Sequence, residues 1–348
     1  MNNYKNHLIL SGSLIRDALK LLDKLAIDAI LFVVDDQNKL IGALTDGDVR
    51  RGLLKGVLVG QVIDKILQSN PHFIRKGEND IKKVIHLRDN QLRIIPVIDV
   101  NDRVVNVINF REMYSYLPID AVIMAGGKGQ RLLPLTEHTP KPLLKVGGKP
   151  IIEYNVDRLS SFGIDNFWIS VNYLGNQIED FFGSGNGKNR SIEYVWEDSP
   201  LGTIGAVSKI NNFKHDYVLI TNSDILTNLD YESFFIDFLK NDADLSVVSI
   251  PYEVTIPYAV LETSDNKIQG FKEKPMYTYY CNAGIYLIKK ELLSYIPIDS
   301  VFNATDLIHE LIKNDKKVVP FKFSNYWLDI GKKSDFLKAQ NDITNIQF

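Results

Sequence analysis

The first third of the chain repeats itself at an interval of 64 residues, and this restricts the fold more than any other feature. Asp35–Gly42 reads DDQNKLIG and Asp99–Asn106 reads DVNDRVVN. At the same offset Ala29–Val34 (AILFVV) matches Arg93–Ile98 (RIIPVI), and Leu40–Leu44 matches Val104–Ile108. Apolar residues at helical spacing precede each copy: Ile15, Ala18, Leu19 and Leu22 in the first, Ile81, Val84 and Ile85 in the second. Each copy is expected to run helix–strand–turn–strand–helix, with Asp, Asn and Lys in the hairpin turn. Two such units can cover each other's apolar faces.

A break follows at Ser115-Tyr116-Leu117-Pro118, where proline disfavours a continuing helix. After it the pattern changes. Strands are predicted at Ile119–Ala125, Asn166–Val171, Ile192–Trp196, Tyr217–Thr221 and Leu245–Ile250, and helices at Ile152–Phe162, Asn176–Phe182 and Tyr231–Lys240. Strand–helix alternation calls for a largely parallel sheet covered on both faces, with ligands beyond the carboxyl ends of the strands. The fold class is therefore α/β, with a smaller α+β domain ahead of it. Expected boundaries are 1–116 (copies at about 8–60 and 68–116) and 119–348.

The 348 residues suit two domains. A formal net charge of −3 gives no general attraction to nucleic acid or to an anionic membrane. No apolar run has the length of a membrane span, and no secretory signal is recognisable, so the cytoplasm is the expected location. The single cysteine, Cys281, excludes an internal disulfide and is read as a packed strand residue.

The chemistry is concentrated in AGGKGQRLLPLTEHTPKPLL, which starts at Ala125 directly after a buried strand. Gly126, Gly127 and Gly129 allow close backbone approach to an anion. Lys128, Arg131 and, from the proline-flanked segment, Lys141 bring positive charge. The string lacks the third glycine of a dinucleotide fingerprint, where Leu132 stands, and it is not a P-loop. Asp224 follows the apolar strand Tyr217–Thr221, and Asp329 lies far along the chain in Trp327-Leu328-Asp329-Ile330-Gly331. Two carboxylates plus substrate phosphates suffice to hold Mg²⁺.

These residues resemble the signature of the nucleoside-diphosphate-sugar pyrophosphorylases, G-G-x-G-[TS]-R-L-x-P-L-T followed by P-K-P. The likeness runs from about Ile119 to Asn341; Gln130 departs from the usual Thr or Ser. The resemblance implies a GT-A-like, Rossmann-like nucleotidyltransferase sheet. It also implies Mg²⁺ on Asp224 and Asp329, and nucleotide binding by Ala125, Gly126, Gly127, Gly129 and Gly202. Arg131 and Lys141 would handle the triphosphate and the sugar phosphate. The segments G-F-K-E-K-P and N-A-G-I-Y similarly imply sugar-phosphate contacts by Glu273, Lys274 and Asn282. The substrates implied are a nucleoside triphosphate and a sugar 1-phosphate, and the transfer needs no Ser-His-Asp arrangement.

The repeat is similar to a CBS pair, its most specific element being Gly42–Asp48 (GALTDGD) with Arg50 and Arg51 behind it. By resemblance Thr45, Asp48 and Arg50 would hold a regulatory adenine nucleotide; a module that only drives homodimerisation is the alternative. In the second copy Asn109 replaces Thr45 and Glu112 replaces Asp48, so one site is expected. The whole arrangement looks like that of glucosamine-1-phosphate guanylyltransferases of legionaminic-acid routes, which favours GTP. UTP, dTTP and CTP stay open, as does a non-catalytic relative of the fold.

Overall fold

The computed structural model describes residues 4–77, 80–185 and 190–346. They form two compact units. The first comprises 4–118 with Ser160–Asp165 and Arg190; the second holds the remainder.

In the first unit the repeat is kept down to individual hydrogen bonds. Ile30–Val34 pairs antiparallel with Leu40–Thr45, and Ile94–Ile98 pairs with Val104–Asn109. Each ladder slips register at the same place, between Val33 and Val34 and between Val97 and Ile98. Asp35 accepts hydrogen bonds from the amides of Gln37 and Lys39, both at 2.8 Å. Asp99 does the same for Asn101 and Arg103, at 2.8 and 2.9 Å. These Asx turns explain why the repeat shows as D-x-x-N/D-K/R in the sequence. The turns also meet. Leu40 N–H donates to Asp102 C=O and Val104 N–H to Asn38 C=O, each at 2.9 Å. The two copies are thus related by a local twofold relation. Phe32, Val34, Ile94, Ile98 and Val104 fill the shared core.

The helix after the first hairpin, Asp46–Leu54, starts with a full capping box. Thr45 Oγ1 accepts from Asp48 N–H, and Asp48 Oδ2 accepts from Thr45 N–H at 2.9 Å. The expected counterpart in the second copy does not form: 110–118 has no helix. There Asn109 turns its carbonyl to Arg111 N–H (3.0 Å) and its amide to Asp28 (2.9 Å). With Asn109 so engaged and Pro118 ahead, the cap is lost and the chain stays irregular.

The second unit is built on a seven-stranded sheet. Its strands are β1 (Ile119–Met124), β2 (Asn166–Val171), β3 (Ser191–Trp196), β4 (Tyr217–Asn222), β5 (Leu245–Thr255), β6 (Met276–Lys289) and β7 (Val318–Lys322). Their spatial order is β3-β2-β1-β4-β6-β5-β7. Only β6 runs against the other six. β1 and β2 are buried almost throughout, as a sheet covered on both faces requires. Helix Tyr231–Lys240 covers part of it with Phe234, Phe235 and Phe238.

β5 runs beyond the predicted end at Ile250. From Pro251 to Thr255 it pairs with 276–280 of β6 as a two-stranded ribbon, and the hairpin Val260–Ser264/Lys267–Lys272 is inserted between them. Cys281, paired with Ile250 at the base of this ribbon, is exposed, not packed as the sequence suggested. No helix among the described residues is long and apolar enough to cross a membrane.

Asp48 gathers Thr45, Arg51 and Gln68 around one carboxylate in the first unit. Burial alone would raise its pKa, but hydrogen bonds from Thr45, Gln68 and Arg51 outweigh that and hold it below the usual carboxylate range. Asp48→Ala is expected to cost about 1–2 kcal/mol at neutral pH, a typical cap loss. A lowered folded pKa stabilises above the unfolded value near ~4 and stops doing so as pH falls through the folded value. Denaturant melts of wild type and variant should therefore differ by a constant amount down to about pH 4 and converge below it.

Candidate active site

The cleft opens at the carboxyl ends of β1, β3 and β4, where the topology of such sheets places ligands. Its larger part, ≈ 790 Å³, is lined by the glycine loop, Gln130, Arg131, Lys141, Glu197, Gly202 and Asp224. A smaller recess of ≈ 360 Å³ is lined by Asn282, Gly284, Trp327 and Asp329. Thr203 and Asn222 belong to both, so the two recesses adjoin.

Backbone pairing brings the two aspartates together. Ile225–Thr227 pairs antiparallel with Trp327–Asp329, and Ile330 N–H donates to Asp224 C=O at 3.0 Å. Leu226, Leu328 and Ile330 from these segments pack with Leu132 of the phosphate loop in one apolar cluster. Arg131, next to Leu132, is thereby tied to the carboxylates. Its guanidinium lies 3.5 Å from where a side chain on Gly331 would begin.

Lys141 is presented by a single 3-10 turn between Pro140 and Pro142, and its ammonium pairs with the Asp224 carboxylate. Gly129, at φ 63°, seats the loop on it: a Cβ there would lie 3.0 Å from both Lys141 Cβ and Thr136 Cγ2. Asp329 is left differently. Its Oδ1 is buried with no hydrogen-bond partner. Burial pushes its pKa up and the neighbouring Asp224 charge adds to this, against the pull of Lys141 and Arg131.

An orphaned buried carboxylate oxygen beside a second carboxylate fits a divalent cation. Among the described residues no group of three or more His, Cys, Asp or Glu makes a closed cage. Two carboxylates with room for phosphate oxygens suit Mg²⁺, which keeps few protein ligands.

Asn282 lines the smaller recess, where it donates to Tyr286 Oη (2.8 Å) and accepts from Gly284 N–H (2.9 Å). Glu273 and Lys274 line neither recess. They are exposed at the end of the ribbon. In the first unit Arg51, not Arg50, reaches Asp48 (2.5 Å), while Arg50 pairs with Asp46 (3.3 Å).

One residue escaped the sequence reading. Glu197 follows β3, is 7% exposed, and lines the larger recess. It accepts from Ser170 Oγ on one oxygen and from Leu201 N–H (3.0 Å) on the other. A Cβ at position 126 would fall 2.7 Å from its Oε1, which explains that glycine. The rule that selected Asp224, a carboxylate just past an apolar strand, applies equally to Glu197.

Residues 120–346 match the family described as nucleotidyl transferase, and residues 9–55 match the CBS domain. The chain is 30% identical over 227 residues to D-glycero-α-D-manno-heptose 1-phosphate guanylyltransferase of Aneurinibacillus thermoaerophilus, covering 65% of this chain and 98% of that one. It is 29% identical over 252 residues to UTP–glucose-1-phosphate uridylyltransferase of Synechocystis sp., covering 65% of each. Among solved structures, HddC from Yersinia pseudotuberculosis complexed with GMP-PN is similar at TM-score 0.50 and 27% identity, over 64% of this chain and 99% of that chain. For several curated relatives the chain spans only 53–65% of their length.

The raised pKa of Asp329 sets a sign. A carboxyl whose pKa rises on folding costs stability above that pKa, where it is charged, and the cost is relieved as pH falls through it. Asp329→Asn should therefore raise the melting temperature of the metal-free protein by a few degrees at pH 7.5. Mg²⁺ should raise the melting temperature of wild type but not of the variant. A variant less stable than wild type at that pH would contradict this reading.

Proposed function

The chain belongs to the nucleotidyl transferase family, and from that premise we propose that it joins a nucleoside triphosphate to a sugar 1-phosphate, releasing pyrophosphate. The observation that carries the proposal is the half-buried Asp224–Asp329 pair, with Lys141 and Arg131 beside it, at the junction of two recesses. Asp224 and Asp329 would hold Mg²⁺, which when bound neutralises phosphate charge. The loop amides and Arg131 hold the triphosphate and stabilise the leaving pyrophosphate. Lys141 holds the sugar phosphate, whose oxygen attacks the α-phosphorus in line as the bond to pyrophosphate breaks. No general base is needed, because that oxygen is already anionic. Glu273 and Lys274 are proposed as further sugar-phosphate contacts, brought in by the ribbon, and Asn282 as a sugar contact within the smaller recess. A hexose or hexosamine is the acceptor we favour.

GTP is the donor we favour, and Glu197 supports it. Each Glu197 oxygen uses one acceptor position within the protein and keeps another. A carboxylate so placed suits a base edge with adjacent N–H donors. Guanine offers N1–H and the 2-amino group; uracil and thymine offer a single ring N–H. The heptose 1-phosphate guanylyltransferase relative and the GMP-PN complex agree with this.

Pyrophosphate release should be measured over GTP, UTP, dTTP and CTP with glucose, mannose and glucosamine 1-phosphates. GTP is expected to lead by tenfold or more, roughly the ~1–3 kcal/mol of a bidentate base contact. Glu197→Gln should shrink the GTP lead over ITP, which lacks the 2-amino group. A UTP or dTTP preference rejects the base assignment, and release from no pair rejects the enzyme. Asp224→Asn and Arg131→Ala should each lower turnover by about 10²–10³.

An adenine nucleotide at the CBS motif is the accompanying regulatory proposal, supported by the match over 9–55. Asp48 already accepts from Thr45, Gln68 and Arg51, so a ribose must compete with the cap. AMP titrated into the full chain should bind wild type and bind Asp48→Ala at least tenfold more weakly. Equal binding would remove Asp48 from the site.

A further inference from the structure

The ribbon formed by the outer ends of β5 and β6 is the least protected part of the second unit. Tyr252 pairs with Tyr279 and Val254 with Tyr277, so four apolar or aromatic side chains share one face. Tyr252, Tyr258, Phe271, Tyr279 and Tyr280 are each 51–76% exposed. Tyr252, Tyr277 and Tyr279 lie on one face of the ribbon, and Tyr280 on the other, under Lys322.

The edge is as informative as the face. β4 pairs with β6 only from Ile285 onward. Among the described residues no strand pairs with the other edge of 276–282. Native proteins guard open edges with Lys, Pro or a bulge. Met276-Tyr277-Thr278-Tyr279-Tyr280-Cys281-Asn282 carries no charge and no proline. A two-stranded ribbon is also marginal on its own in water.

We propose that this edge pairs with the same edge of a second copy, antiparallel about a twofold axis at Tyr279. In that register Tyr279 faces its own counterpart, Tyr277 faces Cys281 and Thr278 faces Tyr280, which joins two ribbons into a four-stranded one. A second copy fits better than an unrelated partner. The uncharged segment is self-complementary under a twofold operation, without like-charge repulsion.

The chain contains one cysteine, and it lies in this segment. The pairing puts the two Cys281 residues four positions apart along neighbouring strands, at about 14 Å. Full-length protein should sediment with at least twice the chain mass at tens of micromolar. A bismaleimide of matching span should link two chains through Cys281. Tyr279→Lys, or Tyr277→Lys should the first fail to fold, should abolish the crosslink and halve the mass while the chain still unfolds in a cooperative transition. A monomeric wild type, or an oligomer that neither crosslinks at Cys281 nor responds to either lysine, overturns the proposal. Because the wild-type crosslink needs no substitution, it decides the matter even if both variants misfold.

Discussion

Two acidic side chains are held side by side by backbone pairing that takes no account of their charge. The short ladder between Ile225–Thr227 and Trp327–Asp329 fixes Asp224 against Asp329, and only Asp224 has a lysine to pair with. Asp329 keeps a buried oxygen without a hydrogen bond, at a cost of about 1–3 kcal/mol that the charges of Lys141 and Arg131 only partly offset. Leu132, Leu226, Leu328 and Ile330 are all nearly fully buried around this ladder. At about 1.5–3 kcal/mol for each such side chain, their burial exceeds that cost. Apolar packing therefore maintains what electrostatics opposes, and a divalent cation bound there would relieve that opposition.

The same cluster explains why the glycine loop and the carboxylates are held as one object. Leu132 anchors the loop from below, and Arg131 extends from the adjacent position toward Gly331. Gly129 lets the loop close onto Lys141, whose ammonium reaches Asp224. A loop displaced by one residue would lose its apolar anchor and its cationic contacts together. Glu197 performs a similar service on the other wall, joining β2 through Ser170 and the Pro200–Ala206 segment through Leu201 N–H.

Much of this was legible from residue order. The 64-residue repeat reappears as matched strands, matched register slips and matched Asx turns. Strand–helix alternation became a mostly parallel sheet, and Tyr231–Lys240 formed at the expected ends. What could not be read were outcomes of competition between partners. A helix was expected after Asn109 as after Thr45, but the bond from Asn109 to Asp28 comes from 81 residues away and is invisible locally. β5 looked like a six-residue strand because its continuation, Pro251–Thr255, is mixed in polarity and gains order only by pairing with 276–280. Cys281 looked packed because strand residues usually are. Asp224 and Asp329 could be named individually, but their adjacency depends on a three-residue ladder between segments about a hundred residues apart.

The central claim, that Asp224 and Asp329 together form a cation site completed by substrate phosphates, is tested most directly by anomalous diffraction. Crystals of the full chain would be grown with Mn²⁺ in place of Mg²⁺ and a non-hydrolysable GTP analogue. The expected result is a single strong peak within about 2.5 Å of a carboxylate oxygen from each of Asp224 and Asp329 and in contact with the nucleotide's phosphates. A peak touching the phosphates but neither aspartate, with Asp329 Oδ1 still unpartnered, would contradict the account.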